Sequence, residues 1–432
     1  MQQSHPAVPP QQNSLRKTQT RPIVLLIVGV LAILISLGVR NSSWARERML
    51  KNLSLEQLAL AIRDEPNDSL TFLYYGNALI TAGNAQEAEQ AFKRASELNP
   101  GNERAVLGMA SARFRMNKLD DALEAFKKAT VLNPKDKEAL LGVAQTLYRQ
   151  GYVSHATEPL KKILELDPRS GPAWYFLGKM YGDTHESDLA LDALKHAVQV
   201  DPNKAIYWRD LGQLERHYAH LPEAEEDFKK AIHFAQNDPE SYLWLGQLYL
   251  QMGDTPKIRG QAEQCFQSAI ARDPQIEEAY FGLGQLYQRS ANYPSAIANY
   301  RKATELDSSD EKALHYLGES LVRNGQTAEG QKLLGAANEL ETAKRDVDYL
   351  QKRILAEPKS RDLRLRMARL YRKYENDRSA LQQYAAYQNL GSEDTQVRAE
   401  MTTYENELIK RGVLPPRPMA GLNAAPNAAG SH

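Results

Sequence analysis

Proline recurs every 34 residues along the first half of this chain, at Pro66, Pro100, Pro134, Pro168 and Pro202. Three further columns keep the same interval. Small residues stand at Gly76, Ala110, Ala144, Gly178, Gly212 and Gly246, and alanines at Ala88, Ala122, Ala156, Ala190 and Ala224. Bulky apolar residues follow those alanines at Phe92, Phe126, Leu160, Leu194 and Phe228. A fixed period of this length dictates a stack of similar small units, because one unit alone cannot bury its own apolar face. Past Gly253 the register slips by four residues and resumes at Ala262, Phe266, Ala269 and Pro274; Gly284 and Gly318 extend it.

Each unit reads as two helices. Trp174, Leu177, Gly178 and Tyr181 fall at i, i+3, i+4 and i+7, a single helical stripe. Ala190, Leu194 and Ala197 form the stripe of the second helix. Small side chains at Gly178 and Ala190 allow the paired helices a close approach. Asp167-Pro168 and Asp201-Pro202 end second helices, since proline lacks the amide donor and clashes with the preceding turn. Period-two alternation is absent throughout, so strands are not expected.

Trp174-x-x-Leu177-Gly178-x-x-Tyr181, followed by Ala190, Leu194, Ala197 and Pro202, resembles a tetratricopeptide repeat. Tyr280, Leu283, Gly284 and Tyr287 with Ala296, Tyr300 and Ala303 match again. The resemblance implies an all-α solenoid of helical hairpins wound into a right-handed superhelix. Eight units are expected at 69–102, 103–136, 137–170, 171–204, 205–238, 239–276, 277–310 and 311–344, together 69–344. Residues 40–68 form a linker and leading helix, with 53–66 as a lone second helix. Residues 345–394 hold an off-register linker helix and a ninth unit at 361–394, and 395–411 a closing helix. The tails at 1–21 and 412–432 are expected to be disordered. Gln236, Ser308 and Thr342 replace the terminal proline, and Gly330 replaces the alanine of the eighth unit. The stack is expected to bend or loosen there.

Pro22 to Val39 is almost wholly apolar, mostly Ile, Leu and Val. As a helix it spans about 27 Å, close to the ~30 Å hydrocarbon thickness of a bilayer. It is read as a single uncleaved transmembrane anchor at 22–39; a removed secretory leader, cut after Ser36-Leu37-Gly38, is the alternative. Arg16, Lys17 and Arg21 precede the span and Arg40, Arg46, Arg48 and Lys51 follow it, so the positive-inside rule scarcely discriminates. A basic leader followed by one span places the repeat domain on the exported side. Lys plus Arg number 54 and Asp plus Glu 54, a balance that argues against nucleic acid bound along the whole length. One cysteine, Cys265, excludes an intramolecular disulfide and an all-cysteine metal site. Its place beside Phe266 suits packing.

In the family a concave groove is lined by recurring positions of each first helix. Here they give Asn77, Arg115, Gln145, Tyr148, Arg149, Tyr175, Lys179, Arg209 and Gln213, then Gln247, Phe281, Gln285, Arg289 and Arg323. Gln145, Gln213, Gln247 and Gln285 share one column, and amides both donate to and accept from a peptide backbone. Arg115, Arg149, Arg289 and Arg323 share another and suit carboxylates. A solvated helix face and a cation drawn to a helix C-terminus explain the same residues without a ligand. The carboxylate clamp of chaperone-binding members is absent: Asn77 fits one slot, but Leu73, Gly108, Glu138 and Gly142 occupy the others.

No phosphate-cradling glycine loop, nucleophile elbow or zinc-hydrolase pattern occurs, so no catalysis, cofactor, metal or small-molecule substrate is expected. His217 and His220 lack further ligands. Residues 361–373 carry Arg361, Arg364, Arg366, Arg369, Arg372 and Lys373 against Asp362 alone. Their alternation with leucines fits an amphipathic helix with a basic outer face; an anionic partner is the second account. The chain is read as a membrane-anchored scaffold or adaptor that binds proteins or extended peptides, in the assembly of a membrane or envelope complex. An exported soluble binding protein and an enzyme on the solenoid surface are the alternatives.

Overall fold

The computed structural model describes residues 43–413, apart from 375, 392 and 393. The predicted span at 22–39 and the tails at 1–21 and 414–432 lie outside the described residues. Regular structure among the described residues is helical, and none of these helices is long and apolar enough to cross a membrane. The chain divides into two compact units, one ending at Gln236 and the other beginning at Asn237.

The first unit opens with α1 (Ser43–Lys51) and α2 (Leu55–Asp64). Five hairpins follow: α3 (Ser69–Thr81) with α4 (Ala85–Leu98), α5 (Glu103–Arg115) with α6 (Leu119–Leu132), α7 (Lys137–Arg149) with α8 (Val153–Leu166), α9 (Gly171–Asp183) with α10 (Ser187–Val200), and α11 (Ala205–His217) with α12 (Leu221–Phe234). Asp68, Asn102 and Asp136 start first helices by accepting hydrogen bonds from the free amides of the first turn. Second helices stop just before Asn99-Pro100, Asn133-Pro134, Asp167-Pro168 and Asp201-Pro202, as the proline column requires. The alanine and aromatic columns form the core: Ala88, Phe92 and Ala95 are buried, as are Ala122, Phe126 and Ala129, and Ala224, Phe228 and Ala231.

The close approach of the helices rests on two glycine positions, not one. A Cβ on Gly76 would lie 2.6 Å from the Phe92 ring, and one on Gly108, in the next hairpin, 2.5 Å from the same ring. Gly142 stands likewise against Phe126, where a Cβ would approach to 2.2 Å. Each ring is thus gripped by its own hairpin and by the following one, which couples neighbouring units.

Trp174 is only half-buried. Its indole Nε1 donates to the carbonyl of Pro168 at 3.0 Å, and its ring stacks on His196 at 4.6 Å. Trp208 repeats the contact, donating to the Pro202 carbonyl at 2.6 Å. These tryptophans tie each first helix to the end of the preceding second helix.

The turn inside each hairpin needs a left-handed residue. Gly83 and Gly151 supply it at φ 85° and 84°, but Asn117, His185 and Ala219 hold φ 59°, 61° and 62°. Alanine pays for that conformation through its Cβ. Ala219→Gly, and Ala291→Gly at φ 55° in the second unit, are each expected to stabilise by roughly 0.5–1 kcal/mol. A rise in the chemical-denaturation midpoint checks this; a fall would show that the turns are not strained.

In the second unit α13 (Pro239–Met252) pairs with α14 (Pro256–Arg272), α15 (Glu277–Arg289) with α16 (Tyr293–Leu306), and α17 (Glu311–Arg323) with α18 (Thr327–Ala356). The four-residue slip has a simple cause. α13 has 14 residues where α3 has 13, and α14 has 17 where α4 has 14. At Ser308 the turn forms without proline: Asp307 Oδ1 accepts from the Ser309 amide at 2.8 Å and its hydroxyl at 2.7 Å, much as Asp167 Oδ1 accepts from the Arg169 amide at 3.1 Å beside Pro168. At Thr342 nothing stops the helix, and α18 runs on for 30 residues. Gly330 does not loosen the stack as expected. A Cβ there would sit 2.6 Å from the Gly318 carbonyl, so glycine lets the backbones of α17 and α18 touch. The unit closes with α19 (Arg361–Lys373), α20 (Asp377–Asn389) and α21 (Thr395–Lys410), packed around Ala368, Tyr384, Tyr404 and Leu408.

Candidate functional site

In the first unit the first helices α3, α5, α7, α9 and α11 carry the predicted groove residues. Gln145 on α7 and Gln213 on α11 are half-buried, and their amides bond to no other described residue. Arg115 and Asn77 are exposed. The remaining predicted residues are engaged with one another or with the fold. Tyr148 Oη donates to Asp183 Oδ2 at 2.5 Å. Tyr175 Oη donates to Asp210 Oδ2 at 2.7 Å, with Lys179 Nζ 3.6 Å from the same oxygen and Arg209 Nε 3.7 Å from Asp210 Oδ1. Burial, then the neighbouring Asp183 and Asp210, push the Tyr148 hydroxyl up to about 12. The Tyr175 hydroxyl is driven well above the usual phenol range by burial and Asp210. Tyr175 is buried and stacks on Tyr207 at 4.5 Å, so its ring belongs to the core and only its hydroxyl serves the surface.

Arg149 was expected to reach outward. Its Nη1 instead donates to the Phe114 carbonyl at 3.4 Å, and its guanidinium lies 4.6 Å over the Phe114 ring. It adds a second donor to a carbonyl that the Asn117 amide already reaches at 3.0 Å, at the C-terminal end of the preceding first helix, where a cation is favoured by the helix dipole. Asp183 and Asp210 escaped the sequence reading because neither recurs from unit to unit.

In the second unit Gln247 on α13 and Gln285 on α15 are half-buried and again bond to no other described residue. Arg289 Nη1 donates to the Leu250 carbonyl at 2.6 Å, the same duty that Arg149 performs. Arg323 Nη2 donates to Glu319 Oε1 at 3.0 Å. Phe281 packs against Tyr300 and Tyr316, each with ring centroids 5.6 Å away, and so serves the core. Gln288 accepts from Tyr300 Oη at 2.8 Å and donates to Glu319 Oε2 at 3.1 Å. In each unit the predicted glutamines bond to no other described residue, whereas Arg149, Arg289 and Arg323 of the arginine column are already paired.

Three of the six bases in the stretch 361–373 are neutralised within their own unit. Arg366 pairs with Asp362 at 2.8 Å, Arg369 with Glu400 at 2.7 Å and Arg372 with Glu407 at 3.0 Å. Cys265 is buried, and His217 and His220 are exposed.

One pair of acids is buried beside the first unit's surface. Glu215 is 1% and Asp227 6% exposed; Lys195 Nζ lies 3.1 Å from Glu215 Oε1 and Lys230 Nζ 3.8 Å from Asp227 Oδ1. Burial first, then Glu215 and Glu226, push the Asp227 carboxyl up to about 7 from its ordinary 3.8, against the pull of Lys230 and Lys195. The folded state therefore holds a proton that the unfolded state has released between those values. Stability falls as pH rises through this window, and the whole penalty is present above about 7. Asp227→Asn is expected to raise the melting temperature near pH 8 and to change it little near pH 4. Equal shifts at both pH values would contradict this.

Tetratricopeptide repeat family models match residues 79–145, 171–204, 228–260 and 277–310. No curated protein matches the chain significantly. Among solved structures, the Cut9–Hcn1 hetero-tetramer of APC/C is 14% identical with TM-score 0.50, over 72% of this chain and 61% of that one. YrrB, described as a repeat protein with an unusual peptide-binding site, is 23% identical with TM-score 0.38, over 45% of this chain and 97% of that one. A thermophilic repeat protein of Thermus thermophilus is 24% identical with TM-score 0.38, over 42% of this chain and 99% of that one. The likeness to the first of these concerns the fold alone.

Proposed function

We propose that this chain, whose hairpins include tetratricopeptide repeats, is a membrane-tethered adaptor that holds segments of partner proteins on the faces of its first helices. One observation carries the reading: Gln145, Gln213, Gln247 and Gln285 occupy one column, half-buried, with amides bonded to no other described residue. A half-buried amide has lost part of its water and gains most from a partner that both donates and accepts. An extended backbone does both. The paired tyrosines and carboxylates around Gln145 and Gln213 give that face a rigid polar floor.

The tether is argued from the apolar run at 22–39. Holding the repeats at a bilayer raises the local concentration of membrane-borne partners, so a weak contact suffices. The repeats belong on the exported side, in the assembly of a membrane or envelope complex, and they bind rather than catalyse. Alkaline extraction of membranes followed by intact-mass measurement tests the tether. A chain that stays with the membrane and retains residues 22–39 supports it; a soluble chain beginning near Val39 overturns it in favour of an exported binding protein.

A further inference from the structure

Helix α1 departs from the hairpin rule. It does not pair with α2 but lies on α3. Its side chains reach the face that the proposed function assigns to partners. Glu47 pairs with Arg104 of α5, and Arg104 Nη2 also donates to Tyr74 Oη at 3.3 Å. Arg46 pairs with Glu65 and, at 2.9 Å, with Asp68. Leu50 of the helix is buried, 2% exposed. Beside it a groove of about 330 Å³ opens to solvent, lined in part by Leu58, Tyr74, Asn77, Ala78 and Arg104. Asn77 holds in the first hairpin the column that Gln145 and Gln213 hold later.

We infer that this face of the first hairpin is a helix-binding slot, occupied in cis by α1 and open to an amphipathic partner helix that presents a leucine with a carboxylate one turn before it. Glu47 and Leu50 are spaced i, i+3, so both fall on one side of a helix. The occupant is weakly held. Nine residues are too few for a helix to persist unaided. The ion pairs involve Arg46 and Arg104, whose side chains are 41% and 53% exposed, and such pairs are screened by water and salt. A partner helix with the same two groups, delivered in trans, competes for Arg104 and for the apolar seat. The inference rests on the binding reading for the identity of the face. Its test makes no use of the glutamine column, so the two can fail separately.

The probe is a fluorescent peptide of residues 43–53, titrated by anisotropy against the full chain in detergent. Leu50→Asp and, separately, Glu47→Arg in the chain unseat α1. The labelled peptide is expected to bind both variants at least tenfold more tightly than the unaltered chain, where the slot is taken. Arg104→Glu added to the Leu50→Asp chain is expected to abolish binding, and a peptide carrying Glu47→Arg to restore it. Equal affinity for the unaltered and unseated chains overturns the inference. So does failure to bind either unseated chain while circular dichroism shows its helices intact, or binding indifferent to Arg104→Glu.

Discussion

Phe266→Ala is expected to destabilise the second unit by about 3–5 kcal/mol, the range for emptying a fully buried ring site. Phe266 is 0% exposed. A Cβ on Gly246 would lie 2.8 Å from its ring and one on Gly282 2.5 Å. The same geometry makes a less obvious prediction. Gly282→Ala improves helix propensity by roughly 1 kcal/mol, yet it drives a methyl group into a ring that cannot retreat, at a cost of about 1–3 kcal/mol. Gly282→Ala is therefore expected to be neutral to destabilising in the unaltered chain. With Phe266→Leu in place the ring is gone, and the same change should turn stabilising. Denaturant unfolding of the four combinations measures the coupling. If Gly282→Ala stabilises the chain as in an open helix, the ring is not gripped and the stacking account is wrong.

Gln145→Ala with Gln213→Ala is expected to weaken the hold on a partner segment at least thirtyfold, about 2 kcal/mol. That follows from two amides each losing one or more hydrogen bonds worth ~1 kcal/mol. Stability should be unchanged, because neither side chain bonds to another described residue. Arg149→Ala should behave in the opposite way. It removes the guanidinium that lies over the Phe114 ring and adds a second donor to the Phe114 carbonyl, which the Asn117 amide also reaches, so the loss falls on thermal stability. Binding curves and melting curves of the three variants separate these roles. A stable Arg149→Ala chain that no longer binds, beside a glutamine variant that still does, would move the ligand from the amides to the arginines.

The hairpins were legible because burial at fixed intervals leaves its mark on composition. Ala88, Phe92 and Pro100 recur as Ala122, Phe126 and Pro134, and the structure buries both core pairs. The second glycine position was not legible. Gly108, Gly142 and Gly282 recur too irregularly to make a column, and their partners are rings of the preceding hairpin, a relation visible only in three dimensions. The effect of a missing proline was not legible either: at Thr342 α18 runs on for 30 residues, whereas at Ser308 the turn still forms, with Asp307 accepting from Ser309. The surface was legible as a set of positions and not as a set of duties. Tyr175, Lys179 and Arg209 converge on Asp210, a residue without counterparts in other units. The seating of α1 left no repeat signal at all, because it happens once.

The central claim is that partners lie on the faces of the first helices. A photo-crosslinking residue placed at Gln213, compared with one at Val131 on α6, which is 78% exposed, tests it in native membranes. A discrete protein adduct from position 213 that is lost when Gln145→Ala is added, with no such adduct from position 131, is the predicted result. The same adduct from both positions, or one from position 131 alone, would contradict it.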